Sequence, residues 1–358
     1  MKQYEDLIEK IEWAPGREEM ELLEMLVKAA DAENDTQMAY DARYRLSESA
    51  CNEGFPEKAI VAFSWCLMAF DKDPQLDHWE NVLWRYKTML ELIPIFTRVS
   101  KKRIVEMQED MARRLQGAGE SDRTANYYRS WNYMRMGDYE QSLQYQDAYL
   151  AMKRSGISDC LACERDRQVE LLSRMKHDED SLKLAEPILS GSMGCSEVPE
   201  FTNAHIVRSL IRNGRIDEAA ARQKTAYEQV RNDRKYLGTI GDLMLALIRK
   251  QNHDTAAAQM IRHLPWAAET KADELRFRFY DSCSLLLESI SQTTPNRRKL
   301  RLPEELECWR EDETYDPRQL GQWFANESRQ LADLFNERNG NQRYDEMIAD
   351  NRQLAGLQ

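Results

Sequence analysis

One short pattern recurs along this chain at nearly even spacing. An apolar helical stretch gives way to a polar break that often contains glycine. Glutamate or aspartate follows, and then a small residue near the start of a second helical stretch. The pattern occurs at residues 52–63 (NEGFPEKAIVAF), 136–145 (MGDYEQSLQY), 175–184 (MKHDEDSLKL), 213–222 (NGRIDEAAAR) and 250–259 (KQNHDTAAAQ). In register, the small residues are Ala59, Ser142, Ser181, Ala219 and Ala256, and the last three steps are 39, 38 and 37 residues. A near-constant period of this size implies stacked units that each bury an apolar face on the next. The small residue has a mechanical cause, because two antiparallel helices joined by a tight turn approach too closely there for a large side chain. The step from Ala59 to Ser142 is 83 residues, about two periods. A degenerate unit is therefore expected between residues 75 and 120, with its second helix near Arg103 to Leu115.

Helical periodicity agrees. Tyr127, Trp131 and Met134 fall at i, i+4 and i+7, and Trp79, Val82, Tyr86, Met89 and Ile93 make a second stripe. Such stripes read as core between stacked helices. No alternating run is long enough for a regular strand. Pro74, Pro94, Pro199, Pro265, Pro295 and Pro303 fall near expected helix ends, where a missing N–H does least harm. With only 14 glycines and 10 prolines in 358 residues, the composition does not suit a strand-rich fold with many tight turns. The expected class is all-α, a right-handed α-solenoid of antiparallel helix pairs.

Regularity weakens at both ends. Residues 1–34 read as an N-terminal helical cap, two helices broken at Ala14-Pro15-Gly16, and residues 35–290 as the repeat array. Residues 291–316 read as a long loop holding a short helix. Residues 317–337 and 342–354 then form a closing helix pair about Asn339-Gly340-Asn341. Atypical terminal units are expected, since they cover the apolar ends of a stack.

The formal net charge of −12 disfavours nucleic acid and anionic lipid as partners. The start, MKQYEDLIEKIEW, carries acids and no apolar signal-peptide core, and the longest apolar stretch, Ile60 to Phe70, is too short to span a bilayer. Seven cysteines, an odd number thinly spread, point to free thiols in a reducing cytoplasm.

MGDYEQSL and NGRIDEAA resemble the turn of the tetratricopeptide repeat, whose usual period is about 34 residues. Four further segments resemble a group of bacterial tetratricopeptide-repeat proteins. They are Leu83-Trp84-Arg85-Tyr86-Lys87, Asp159-Cys160-Leu161-Ala162-Cys163-Glu164, Leu184-Ala185-Glu186-Pro187-Ile188-Leu189-Ser190-Gly191 and Cys195-Ser196-Glu197-Val198-Pro199. The resemblance spans roughly residues 75 to 290. It implies the helical array and an intracellular bacterial setting, and no particular reaction. In length and repeat type the chain is also similar to bacterial peptide-responsive regulators, including response-regulator phosphatases, although their functional residues do not map onto positions here.

One constellation carries chemistry. Cys160-x-x-Cys163 sits at an expected helix start, and Cys195 follows 32 residues after Cys163, close to one period. Equivalent positions of adjacent repeats are neighbours, so three thiols are placed to converge at one edge. Three thiolates suit tetrahedral zinc if a fourth ligand is supplied, and His205 and Glu200 are the nearest candidates. A redox-sensitive dithiol and plain packing are the alternatives. Cys51, Cys66, Cys283 and Cys308 are isolated. The five histidines, at 78, 177, 205, 253 and 263, are scattered. There is no Gly-rich phosphate loop, G-x-S-x-G or H-E-x-x-H motif, so no catalytic residues and no further cofactor are expected.

These features lead to the expectation of a protein- or peptide-binding scaffold whose partner lies in a concave groove lined by the first helix of each repeat. Two other readings are a regulator that changes conformation around a peptide or small ligand, and a regulator acting on a phosphorylated partner.

Overall fold

The computed structural model describes residues 4–195, 198–293 and 296–357. Pro295, the Ser196-Glu197 pair and the first three residues of the expected N-terminal cap lie outside the described residues. Seventeen α-helices occupy the described residues. The first two, α1 (Glu5–Trp13) and α2 (Gly16–Ala32), are broken at Ala14-Pro15. Pairs follow in sequence: α3 (Thr36–Asn52) with α4 (Pro56–Lys72), α5 (Trp79–Leu92) with α6 (Lys101–Gly117), α7 (Arg123–Arg135) with α8 (Tyr139–Leu150), α9 (Leu161–Arg174) with α10 (Asp178–Leu189), α11 (Glu200–Arg212) with α12 (Ile216–Val230), and α13 (Leu237–Arg249) with α14 (His253–Glu269). The chain ends with α15 (Asp273–Thr293), α16 (Pro317–Asn339) and α17 (Arg343–Ala355). The α6 helix occupies the place expected for the second helix of the degenerate unit.

The recurring turn has one structural form. Its pivot residue takes a left-handed φ at Asn34, Gly54, Gly137, Lys176, Gly214 and Gln251. In each copy the next N–H donates to a carbonyl five residues back, as in Asp138 to Tyr133, His177 to Leu172, Arg215 to Leu210 and Asn252 to Leu247. These bonds close the first helix and reverse the chain into the second. Glycine suits the pivot because a Cβ is disfavoured at left-handed φ. In the pairs α3–α4, α9–α10, α11–α12 and α13–α14 the small residues fall where the two helices meet, and Ala59, Ser181, Ala219 and Ala256, like Ser142 on α8, are fully buried. The aromatic stripes are core as well, with Val82, Tyr86, Met89, Tyr127, Trp131 and Met134 buried.

Two local expectations need correction. Pro265 lies within α14, which continues to Glu269. Buried Met260, His263, Leu264 and Ala267 carry one packed face past it, so tertiary packing holds the helix through a missing N–H. The short helix expected within 291–316 does not form among the described residues. The segment instead makes a two-residue antiparallel pairing, Arg298 with Tyr315 and Lys299 with Thr314, with turns near Leu306 between the paired residues. Leu300 and Leu302 are both buried. A spacing of two brings both inward only in an extended backbone.

The chain divides into two compact units, Met1–Asn132 with Leu143–Ser158, and Tyr133–Ser142 with Asp159–Gln358. The division passes through α7 and α8. In the first unit α1 to α6 each pack on the next. In the second, helices from α9 onward pack likewise, and α11 also meets α13, as α13 meets α15. Among the described residues no helix is long and apolar enough to cross a membrane.

Candidate functional site

The thiol constellation is assembled by two segments of the second unit. Cys160 is the N-cap of α9, and its Sγ accepts the Cys163 N–H at 3.3 Å, the part usually played by a serine or aspartate oxygen. This geometry puts the two cysteines of the C-x-x-C on one side of the first turn. Cys195 lies in the link from α10 to α11, and its N–H donates to the Val198 carbonyl at 3.2 Å. The Cys163 and Cys195 sulfurs are 3.3 Å apart, and all three Sγ atoms lie within 4.8 Å of one another. Buried Ala162, Ile188 and Val198, with Met193, form an apolar floor beneath Cys163 and Cys195, while Cys160 is exposed. All three are free thiols.

The environment separates their acidities. Burial opposes ionisation of Cys160, but the hydrogen bonds it receives from Cys163 and Cys195 outweigh that and hold it below the usual thiol range. Burial pushes the Cys163 thiol well up, and the neighbouring sulfurs add to the rise.

The expected convergence of Cys160, Cys163 and Cys195 is therefore present, but neither His205 nor Glu200 joins the sulfurs. His205 Nε2 lies 3.7 Å from Asp166 Oδ2 and 3.8 Å from Glu170 Oε2. Those acids follow Cys163 by three and seven residues, and at 1.5 Å per residue they sit about 5–10 Å further along α9. The imidazole thus faces the middle of α9 while the thiols occupy its N-terminal end. Glu200 opens α11, and its Oε2 is buried without a hydrogen-bond partner.

The first helices of the repeats are the expected lining of an open groove. In the second unit that face is covered by the chain itself, because α17 packs against α11, α13 and α15. Polar contacts fix it there. Asp350 receives Arg208 and Arg212, each at 2.8 Å, Asn351 donates to Asp281 at 2.6 Å, and Arg352 pairs with Glu288. Period and composition carry no signal for this covering.

An open groove of about 680 Å³ lies in the first unit. Apolar side chains from three helices line it, including Val27, Leu46, Ile60, Val61 and Trp65, and Phe96 and Val99 close one side. The Arg43 guanidinium stacks on Trp65 at 4.1 Å from the ring centroid, held from behind by Asp31. Val61 is 73% exposed, and Arg98 at the rim is exposed, lies over the Phe96 ring at 5.0 Å and forms no ion pair among the described residues. The apolar run from Ile60 to Phe70 was the one sequence signal for this surface.

Compared with models of known protein families and with curated proteins, the chain matches none.

Proposed function

We propose that the chain is a non-catalytic scaffold, a tetratricopeptide-like array of helix pairs that binds a peptide segment of a partner protein. The binding surface in this reading is the groove of the first unit. The observation that carries it is the open apolar trough at Trp65, with Val61 exposed in its wall and Arg98 at its rim. A contiguous exposed apolar patch edged by charge is the usual mark of a protein-interaction surface. The occupant that fits is a short segment with two or more apolar anchors and an acidic residue for Arg98. The covering of the α11, α13 and α15 face by α17 supports placing the partner in the first unit.

Selection of a displayed random-peptide library on the intact chain tests this. Enriched peptides are expected to share apolar anchors with a neighbouring acid, and to lose binding to the Val61→Glu and Arg98→Glu variants. Enriched peptides indifferent to both substitutions would remove the groove from consideration.

A further inference from the structure

We propose that Cys160, Cys163 and Cys195 bind a thiophilic divalent cation, zinc in the first place, as a three-thiolate site whose fourth position is open to an exchangeable oxygen ligand. Tetrahedral zinc with Zn–S near 2.3 Å sets its sulfurs about 3.8 Å apart. Here one pair is 3.3 Å apart and all three atoms lie within 4.8 Å, so side-chain movements of about 1 Å reach that geometry. The donor set decides the class of ion. Three sulfurs, with no carboxylate clustered beside them among the described residues, select zinc and similar soft cations over magnesium or calcium.

The surroundings of the sulfurs match what a bound cation requires. The Cys163 N–H already points at Cys160 Sγ, the backbone support that orients a ligating thiolate. The apolar floor of Ala162, Ile188 and Val198 shields the cluster from below and leaves Cys160 toward solvent. Packing holds half-buried Cys163 and Cys195, helix capping holds Cys160, and together they set all three sulfurs within reach of one ion. His205 lies beside Asp166 and Glu170, away from the sulfurs, and no other His, Cys, Asp or Glu among the described residues joins the cluster, so the fourth position falls to an oxygen ligand. The bound ion would clip the start of α9 to the link entering α11, the seam between two successive helix pairs, and deprotonation of the thiols would accompany its binding.

The test uses the full chain, purified under reducing conditions without chelator, stripped of metal and titrated with cobalt(II). One cobalt per chain is expected, with sulfur-to-cobalt charge-transfer absorption and the intense visible bands of a tetrahedral ion. Zinc should displace it stoichiometrically. The Cys160→Ser variant is the decisive partner, because serine caps a helix at least as well as cysteine and the fold is retained. It should bind cobalt at least tenfold more weakly, while a Cys51→Ser, Cys308→Ser double variant binds as the parent does. Weak octahedral bands, or equal binding by Cys160→Ser, would overturn the proposal. So would an intact mass that rises by two hydrogens on reduction of the isolated chain and is unchanged by that treatment in Cys163→Ser, which would assign the pair to a disulfide.

Discussion

The Arg208 guanidinium on α11 lies 2.8 Å from the Asp350 carboxylate on α17, and Arg212, one turn further along α11, reaches the same carboxylate at 2.8 Å. Burial alone would raise Asp350, but Arg208, Arg212 and Lys176 hold its carboxyl well below the usual range. Replacing Asp350 with alanine leaves two largely buried guanidinium groups short of a partner. Arg208 keeps Asp242 at 3.6 Å and Arg212 keeps Asp178 at 2.7 Å, which limits the damage. The expected loss is about 3 kcal/mol, at the lower end for breaking a buried ion pair. Denaturant unfolding of the intact chain at pH 7 measures it. Because the folded-state pKa is depressed, this contribution is present above the unfolded carboxyl pKa and fades as pH falls below it.

Asp281 should behave in the opposite sense. Burial pushes its carboxyl up to about 7, against the Asn351 amide and the charges of Arg208 and Arg329, and Asp242 adds to the rise. A raised carboxyl pKa makes the folded state bind its proton more tightly, so stability is lost as pH climbs from about 4 to about 7. The Asp281→Asn variant removes that titration. Relative to the parent it should gain stability across this window, by up to about 4 kcal/mol at pH 7.5. Thermal melts at half-unit pH steps read the difference, and a gap that stays constant with pH contradicts the assignment.

Three of the six turn pivots are not glycine. Gln251 holds φ 54°, is exposed, and takes no part in the charged contacts of α17. A left-handed conformation costs an L-residue with a Cβ roughly 1 kcal/mol. Gln251→Gly should therefore stabilise the chain by up to about 1 kcal/mol, reduced by the greater freedom of glycine in the unfolded state. Lys176→Gly should gain less, because Lys176 also contacts Asp350 at 3.3 Å. Comparing the two unfolding midpoints separates turn strain from charge.

The buried small residues invite the reverse experiment. Ala219 is fully buried where α12 meets α11. Ala219→Leu should destabilise by about 1–3 kcal/mol through overpacking, whereas Ala221→Leu, two residues on and exposed, should change stability little.

That residue also shows why so much of the fold was legible. The reversal at each turn depends on neighbouring residues, a left-handed pivot followed by a small contact residue, and such local rules repeat in sequence. Hence the period placed Ala219 and Ser181 correctly, and counting two periods located α6. The rule fails where packing is set by distant partners. Pro265 stays helical because of its neighbours' burial, and Leu300 with Leu302 draws its segment into an extended form. The division of the chain at α7 and α8 leaves no mark on the period.

The thiols were legible for the same reason, since a repeat of known length brings Cys163 and Cys195 to one seam. His205 was not. Its level is set by how α11 packs on α9, which puts its ring beside Asp166 and Glu170 and away from the sulfurs. The placement of Asp350 against Arg208 spans 142 residues and leaves no periodic trace.

The most direct test of the scaffold reading is a binding titration. One enriched peptide is measured against the parent chain, Val61→Glu and Leu334→Glu. Both sites are exposed apolar positions, but Leu334 lies on α16, remote in sequence from the groove residues. Val61→Glu should raise Kd at least tenfold, about 1.4 kcal/mol, and Leu334→Glu should leave it unchanged. Equal affinity for the parent and Val61→Glu would contradict the groove as the binding surface.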